Sequence, residues 1–476
     1  MINKNLRFLT AVFSAAALGA NVAAAQDFNL NSLNAADVRA MQADNKGILD
    51  FIKPDKPQPM AQKEWTIMVF MNAKNDLSDS QLMGLVGKWA EKDIKEMKEV
   101  GTSDKINIVV EHGIKGKGSK RMLITKKNGV LSSGEKVYGE YPNADMGDYK
   151  RVVEFARWAK TTFPAKKTML VLWNHGLGWI DPKMEQAPAG TGTANKGILF
   201  DDETKNYLRT AQMKEMMRQI GYTDIVMQNA CLQQMAEVLY EMKDYAGLFV
   251  GSEETMLAQG FDYTGLLNFM NANPAFTHEQ LGEYLVTWYK AFYAGGMNIG
   301  PISMPLDDMG ATLSLVRPAA LGELPGYLDA FANAAMRNNE EEAAAAAVQG
   351  VIRFTSLDPA NDKQKMIAAY ADLADFASIL GANARSQETR QAAQNLVGFI
   401  KGALVLRNVG INGDKVNGYD YTKVGGIAIN TTMKIKQVPA ALNNLYETKY
   451  GDLSLSKASQ WDEFVTWTDG VWRSAR

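Results

Sequence analysis

Short apolar runs alternate with longer amphipathic stretches over the first two thirds of the chain. Five runs rich in Val, Ile, Leu and Met recur with polar, helix-patterned segments between them, at 65–73, 105–113, 168–176, 224–231 and 247–254. Runs of this length that are apolar at nearly every position are typical of parallel strands buried on both faces. The pattern therefore predicts an α/β fold, with an open, doubly wound, mostly parallel sheet flanked by helices.

The segments between and after these runs predict the remaining elements. Helical patterns occur at 78–99, 147–160 and 232–243, a hairpin is expected over 121–140, and longer helices are expected at 328–349 and 387–406. The stretch GGIAIN at 425–430 is interpreted as a late strand that returns to the sheet. We therefore expect an α/β domain over 64–300 and a mainly helical C-terminal subdomain over 301–476.

The N-terminal residues predict export. Residues 1–25 place Lys4 and Arg7 before an apolar stretch and end in three alanines ahead of Gln26, which is the pattern of a secretory signal peptide. Residues 26–63 are polar and include KPDKPQP at 53–59, which is typical of an extended arm or pro-segment. Because no later stretch offers ~20 continuous apolar residues, we expect no membrane span and a periplasmic or extracellular protein.

The net charge and the single cysteine bear on which partners and which metal sites can be expected. The formal net charge of −2 gives no reason to expect a nucleic-acid partner. The single cysteine, Cys231, cannot form an internal disulfide, and with three scattered histidines it offers no ligand spacing for zinc, so we predict no metal site. The basic run KGKGSKR at 115–121 has Ser119 where a phosphate loop needs Lys, and it is interpreted as a solvated hairpin loop.

Candidate chemistry gathers at the ends of the third and fourth predicted strands. The third ends in Asn174, His175 and Gly176, and the fourth ends in Cys231. Ligands of open parallel sheets bind outside the carboxyl ends of the strands, and neighbouring strands lie ~4.8 Å apart. Cys231 also precedes the helix predicted at 232–243, whose dipole would lower the pKa of the thiol. The alternative for a lone cysteine is a buried packing residue.

The other two histidines are weaker candidates for a general base. His112 ends the second predicted strand, which in the common strand order 2-1-3-4-5 lies three spacings, or ~14 Å, from the fourth. His278 lies in THEQ, where Thr277 and Gln280 predict a capping box at the start of a helix. The sequence therefore pairs His175 with Cys231, and Trp173 and Asn174 are candidates to orient the imidazole.

Several ordered blocks resemble the clostripain family of cysteine peptidases, and together they cover nearly the whole mature chain. The resemblance is carried by WTIMVFMNAKNDL (65–77), LWNHGLGW (172–179), GILFDDETKNYLRTAQM (197–213), QNACLQQMAEV (228–238) and GSEETMLAQGFDY (251–263), and it continues at 370–380, 425–430 and 442–465. It implies the caspase-like fold shared by caspases, gingipains and legumains, and an exported cysteine endopeptidase that acts on polypeptides. It also implies that His175 is the general base and acid, that Cys231 is the nucleophile, and that the backbone N–H groups of Gly176 and Cys231 form the oxyanion hole.

The resemblance implies three finer properties. The family cuts itself in a loop like 181–197, where Lys183 and Lys196 are available. Members that cut after Arg or Lys usually have an acid two residues before the nucleophile, so Asn229 predicts a weaker preference for basic residues unless another acid, with Glu254 and Asp262 as candidates, supplies the charge. The chemistry itself needs no cofactor, but calcium dependence occurs in the family, and 72–79 and 200–203 contain oxygen ligands.

Two other functions stay open from the sequence. One is a catalytically silent relative that binds peptides or cell-wall components in the same cleft. The other is a thiol amidase or acyltransferase on the same fold. The sequence predicts no oligomeric state.

Overall fold

Nine strands form one mixed sheet in the computed structural model of the chain. The structure describes residues 61–78, 80–82, 85–183, 197–257, 259–299, 302–306, 310–354, 369–414, 417–434 and 446–474. In chain order, the strands of this sheet are β1 (Lys63–Ala73), β2 (Ile106–Ile114), β3 (Gly118–Ile124), β4 (Glu135–Tyr141), β5 (Ala165–Trp173), β6 (Thr223–Asn229), β7 (Ala246–Gly251), β8 (Ala311–Val316) and β9 (Val405–Ile411).

The order of the strands across the sheet is β9-β8-β7-β6-β5-β1-β2-β3-β4. The five central strands, β7, β6, β5, β1 and β2, are mutually parallel, and they correspond to the five apolar runs of the sequence. The edge strands pair in the antiparallel sense, β3 and β4 at one end and β8 and β9 at the other. The predicted doubly wound sheet, its strand order and the hairpin at 121–140 are confirmed.

Helices cover both faces of this sheet. Along β1, Val69 belongs to a hydrophobic cluster with the helices Trp89–Val100, Tyr263–Ala272 and His278–Tyr293. Its neighbours Met68 and Phe70 belong to a second cluster with the other long helices, because successive strand residues point to opposite faces. The α-helices of the described residues are α1 (Trp89–Val100), α2 (Tyr149–Thr162), α3 (Met213–Ile220), α4 (Ala236–Met242), α5 (Tyr263–Ala272), α6 (His278–Tyr293), α7 (Pro318–Leu321), α8 (Leu324–Arg337), α9 (Glu341–Gly350), α10 (Leu373–Asn383), α11 (Gln387–Phe399), α12 (Ser454–Ala458) and α13 (Trp461–Ser474).

The starts of several helices are fixed by polar side chains. The Asp148 carboxylate accepts a hydrogen bond from the backbone N–H of Lys150 at the start of α2. Thr277 and Gln280 form the expected capping box at α6, so His278 lies at the first position of that helix. Such caps satisfy N–H groups that have no partner within a helix.

The C-terminal part of the chain departs from the prediction. The strand Ala428–Asn430 within GGIAIN pairs with Tyr370–Asp372, which in turn pairs with Arg353–Phe354, so it belongs to a separate three-stranded sheet. The late strand that joins the main sheet is β9, whose first residues were expected to end a helix at 387–406. Residues 328–349 form two helices, α8 and α9, because the chain turns at Asn339, which has a positive φ of 51°.

The boundary expected near residue 300 falls inside one compact unit. Residues Pro59–Arg476 form this unit, and β8 and β9, which follow the expected boundary, extend the same sheet as β1–β7. The predicted signal peptide and residues 26–60 of the predicted arm lie outside the described residues. Within the described ranges, no helix is long and apolar enough to cross a membrane.

Candidate active site

The carboxyl ends of β5 and β6 bring the predicted pair of residues to one place. These strands are parallel neighbours, and Trp173 lies opposite Asn229 at the last position of the pairing. The candidates His175 and Cys231 each lie two residues beyond the end of their strand. The N–H of Asn174 donates to the carbonyl of Asn229 (3.3 Å), so the two segments that carry the candidates leave the sheet side by side.

Gly176 is in close contact with the cysteine backbone. A Cβ atom placed on Gly176 would lie 2.3 Å from the carbonyl oxygen of Cys231 and 2.8 Å from Nε2 of Gln233. Every other residue type would clash here, so only glycine allows the two segments to approach this closely. The contact with the Cys231 backbone is by itself enough to require glycine at position 176, whether or not a substrate would also be crowded by a side chain there.

His175 is held through both its backbone and its ring. Its backbone N–H donates to Oδ1 of Asn174 (2.5 Å), and Nδ2 of Asn174 donates to the carbonyl of Asn72 at the end of β1 (2.6 Å). The ring atom Nε2 lies 2.9 Å from Oδ1 of Asp76, on the short 3-10 helix Asp76–Ser78 that follows β1. The Asn174 and Asp76 contacts together fix the position of the imidazole.

Asp76 is a residue that the sequence analysis missed. The sequence places Asp76 three residues after the first predicted strand, in NAKNDL. Because β1 is the direct neighbour of β5 in the sheet, this position could have indicated a residue close to His175. Trp173, in contrast, forms no hydrogen bond to the ring of His175. Its Nε1 donates to Oδ2 of Asp93 (2.8 Å).

The surroundings of Cys231 differ from the expectation. Helix α4 begins at Ala236, five residues after the cysteine, so the predicted helix dipole does not act at the thiol. Burial raises the pKa of Cys231 to about 11, and the nearby Glu254 carboxylate contributes to the increase, although the backbone N–H of Met256 donates to Sγ (3.3 Å) and opposes it. The expected low thiol pKa is therefore wrong for the intact chain.

The backbone turns sharply directly after the cysteine. Leu232 has a positive φ of 60°, a conformation that non-glycine residues rarely adopt. Its N–H donates to the carbonyl of Glu254, and the N–H of Gln234 donates to that of Ser252. This strained turn is thus held against the segment that follows β7, and it carries Cys231 at its tip.

The predicted pocket residues separate into two groups. Nδ2 of Asn229 donates to the hydroxyl of Tyr263 (3.2 Å), and a Cβ on Gly260 would lie 3.7 Å from both amide atoms of Asn229 and 3.8 Å from Oδ2 of Asp93. Asn229 and Asp93 therefore border the same space beside Gly260. Burial raises the pKa of Asp93 to about 7, against the opposing charge of Lys92 at 3.2 Å.

Glu254 and Asp262 bind other parts of the chain. Glu254 is buried and accepts hydrogen bonds from Thr255 and from the hydroxyl of Tyr421. Asp262 caps helix α5 through the N–H of Gly265 (2.9 Å) and accepts from Nε1 of Trp288 (3.1 Å). Both carboxylates have structural partners, and Asp93 is the acid that lies beside Asn229.

Side chains in the segments considered for calcium have partners within the chain. Oδ2 of Asp201 forms an ion pair with Lys74 (3.0 Å) and accepts from the N–H of Met146, and Asn72 directs its amide at the carbonyls of Leu199 and Phe200. Across the ranges that the structure describes, no three His, Cys, Asp or Glu side chains form a group that could hold a metal. We therefore derive no step through calcium.

The predicted self-cleavage loop is described only at its first residues. Asp181 is anchored by the backbone N–H of Thr210 (3.0 Å), and Lys183 is the last described residue before the gap. Residues 184–196, including Lys196, lie outside the described residues.

The model of the clostripain family, peptidase family C11, matches residues 69–467. No curated protein matches the chain. Among solved structures, a secreted C11 cysteine protease from Bacteroides thetaiotaomicron in complex with an irreversible peptide inhibitor is 19% identical, with a TM-score of 0.58 over 84% of this chain and 99% of that one.

A second solved structure has a similar degree of likeness. An inactive zymogen of a C11 protease from Parabacteroides distasonis is 17% identical, with a TM-score of 0.57 over 84% of this chain and 99% of that one. Identities this low demonstrate a common fold, and the roles of individual residues have to be argued from the site itself.

The raised pKa of Cys231 generates the first prediction. With a pKa of about 11, roughly one thiol in a thousand is ionised at pH 8, so iodoacetamide should alkylate the intact chain slowly, at a rate that rises about tenfold per pH unit up to pH ~10. Because the chain has one cysteine, the incorporated label reports Cys231 alone. Glu254→Gln removes a neighbouring negative charge and should accelerate labelling at pH 8. A rate that already levels off below pH 8 would contradict the raised pKa.

Proposed function

Because the chain belongs to the clostripain family, with the caspase-like fold and the cysteine-type peptidase activity of that family, we propose that it is an exported endopeptidase that uses His175 and Cys231 as a catalytic dyad. The observation that carries this proposal is the parallel pairing of β5 with β6 up to Trp173 and Asn229, which supports a partnership between the histidine and the cysteine that follow these strands. The signal-peptide pattern of residues 1–25 supports export.

The proposed reaction passes through a thioester. Transfer of the Cys231 proton to His175 gives the thiolate, which attacks the scissile carbonyl carbon; a C–S bond forms, and His175 passes the proton to the leaving amine as the C–N bond breaks. His175 then takes a proton from water, whose oxygen attacks the thioester carbon. The C–S bond breaks, the carboxylic acid product leaves, and His175 returns the proton to the sulfur. The backbone N–H groups of Gly176 and Cys231 are the proposed donors to the oxyanion in both steps.

Asp76 has a positioning role in this proposal. A carboxylate that holds one ring nitrogen fixes the orientation of the imidazole and leaves the other nitrogen for proton transfer. In the intact chain the hydrogen bonds of the two reacting side chains go elsewhere, that of His175 to Asp76 and that of Cys231 to the N–H of Met256. We infer that the intact chain is a precursor in which the thiol is not yet activated.

Self-processing would complete the site. One structural neighbour is described as an inactive zymogen, and the segment 181–197 of this chain contains Lys183 and Lys196 as candidate cleavage points. Cleavage after Lys183 would free the chain beyond Pro182, whose carbonyl accepts from the hydroxyl of Tyr207 (2.8 Å), and would allow the surroundings of Cys231 to rearrange.

The dyad is tested by removing each member. Cys231→Ala should abolish peptide hydrolysis, and His175→Ala should reduce kcat by roughly 10²–10⁴-fold, because general acid–base assistance is lost. His278→Ala is the matched control, since this histidine starts a helix and contacts no proposed site residue. Residual hydrolysis by Cys231→Ala at the wild-type rate would overturn the proposal, and binding of peptides without hydrolysis by the wild type would favour the silent relative.

Self-processing is tested by the mass of the purified protein. Wild type should accumulate as two fragments split within 181–197, whereas Cys231→Ala should stay one chain. The processed wild type should also react with iodoacetamide at pH 7.5 faster than the intact wild-type chain does before cleavage, because the chain has one cysteine and the label reports Cys231 alone. A fully active wild type that stays intact would refute the requirement for cleavage.

The pocket beside Asn229 generates a prediction about pH. Below a pKa of about 7, Asp93 is protonated and the pocket is neutral; above it the carboxylate attracts a cation, so the preference for Arg or Lys before the cut should increase between pH 5.5 and 8.5. The preference should be weaker than that of an Asn229→Asp variant at both pH values, because Lys92 already neutralises part of the charge.

The measurement is the ratio of kcat/KM for two peptides that differ only in Arg or Gln before the cut. Asp93→Asn should make this ratio independent of pH while the neutral peptide is still hydrolysed. If the ratio is already constant in the wild type, or if Asp93→Asn leaves its pH dependence intact, Asp93 does not set the charge of the pocket.

A further inference from the structure

A cavity of about 540 Å³ lies between α1 and the strands β2, β3 and β4, away from the proposed dyad. Its volume falls within the range of about 300–1,000 Å³ that small-molecule sites occupy. Two features of the sequence that the peptidase function leaves unexplained meet in it, namely His112 and the basic run at 115–121. In the folded chain, Lys117 and Lys120 of this run line the cavity.

Five lysines from separate segments line the cavity. Lys98 and Lys120 both form ion pairs with Glu135, the one lining carboxylate that belongs to β4. The other three, Lys95 of α1, Lys117 of the β2–β3 turn and Lys127 after β3, form no ion pair with any residue that the structure describes. Since the lining contains three glutamates, the cavity keeps an excess of positive charge.

The second feature is a buried imidazole without a partner. His112 is 6% exposed, lines the cavity, and makes no hydrogen bond to a described residue. Burial, together with the charge of Lys120, lowers its pKa to about 4, so the ring is neutral and offers one N–H donor and one acceptor. The ring nitrogens are not among the side-chain atoms that the described residues bury without a partner, so they are accessible from the cavity and can form a hydrogen bond to a ligand there.

The remaining wall of the cavity is apolar. Ile94 of α1, Ile114 of β2 and Met122 of β3 contribute to it. From this combination we propose that the cavity binds a small organic anion, a molecule with one anionic group and an apolar body. The anionic group lies among Lys95, Lys117 and Lys127, His112 forms a hydrogen bond to the ligand, and the hydrocarbon body packs on the apolar wall.

This site is separate from the proposed dyad. His112 lies on β2, and the strand order places β5 two positions and β6 three positions away from it. At about 4.8 Å per strand, the cysteine strand is ~14 Å distant. A ligand here would leave the peptide cleft free, so the proposal does not depend on the proposed peptidase mechanism.

A pair of matched fluorescent probes tests the proposal on the purified Cys231→Ala chain, which cannot process itself. The first probe, 8-anilinonaphthalene-1-sulfonate, has an anionic group on an apolar body; the second, N-phenyl-1-naphthylamine, has the same rings without the sulfonate. The sulfonate should bind at one saturable site, and its affinity should fall as salt rises from about 50 to 500 mM, because the charges become screened. The neutral probe should bind more weakly and show no salt dependence.

The variants identify the site. Lys117→Gln combined with Lys127→Gln should weaken binding of the sulfonate roughly tenfold, since two favourable charges are lost, and His112→Leu should weaken it further. Lys115→Gln combined with Lys126→Gln is the matched control, because these exposed lysines adjoin the same two segments but do not line the cavity. Circular dichroism establishes that each variant is folded. Equal affinity for both probes, or equal effects of the two double variants, would overturn the proposal.

Discussion

The parallel pairing of β5 with β6 is the constraint on which the rest of the site depends. Its register places Trp173 opposite Asn229, and therefore His175 beside Cys231 two residues later. A slip of one residue would turn every side chain of one strand to the opposite face, so the buried apolar residues on both faces hold this register. The close contact between Gly176 and the Cys231 carbonyl follows from the same register.

Electrostatics around the cysteine oppose its ionisation in the intact chain. Cys231 is partly buried against apolar side chains, Glu254 adds a negative charge nearby, and burial raises the pKa of the thiol. The ring of His175 is held by Asp76, which fixes the orientation of the imidazole. With its raised pKa, the thiol is largely protonated at neutral pH.

Residues after position 300 contact the loop that follows His175 and belong to the same compact unit as the central sheet. The loop that follows His175 is fixed from the C-terminal part, because the hydroxyl of Tyr370 donates to the carbonyl of Leu177 (2.6 Å) and Nε1 of Trp179 donates to Asn430 (3.2 Å). Gly178 lies close to the Tyr370 ring, because a Cβ atom placed on Gly178 would be 2.8 Å from that ring. The loop geometry near the dyad is therefore a property of the whole compact unit.

The sequence by itself determined the central sheet, because buried strands are read from continuous apolar runs, and it predicted the pairing of His175 with Cys231, because the carboxyl ends of parallel strands share one edge. It also determined the family, through blocks that span most of the chain. It could not determine that Asp76 and Asp93 border the site, that GGIAIN leaves the main sheet, or that the thiol pKa is raised. Those features arise from contacts between segments far apart in the chain, and burial and neighbouring charge, which set a pKa, exist only once such segments have packed together.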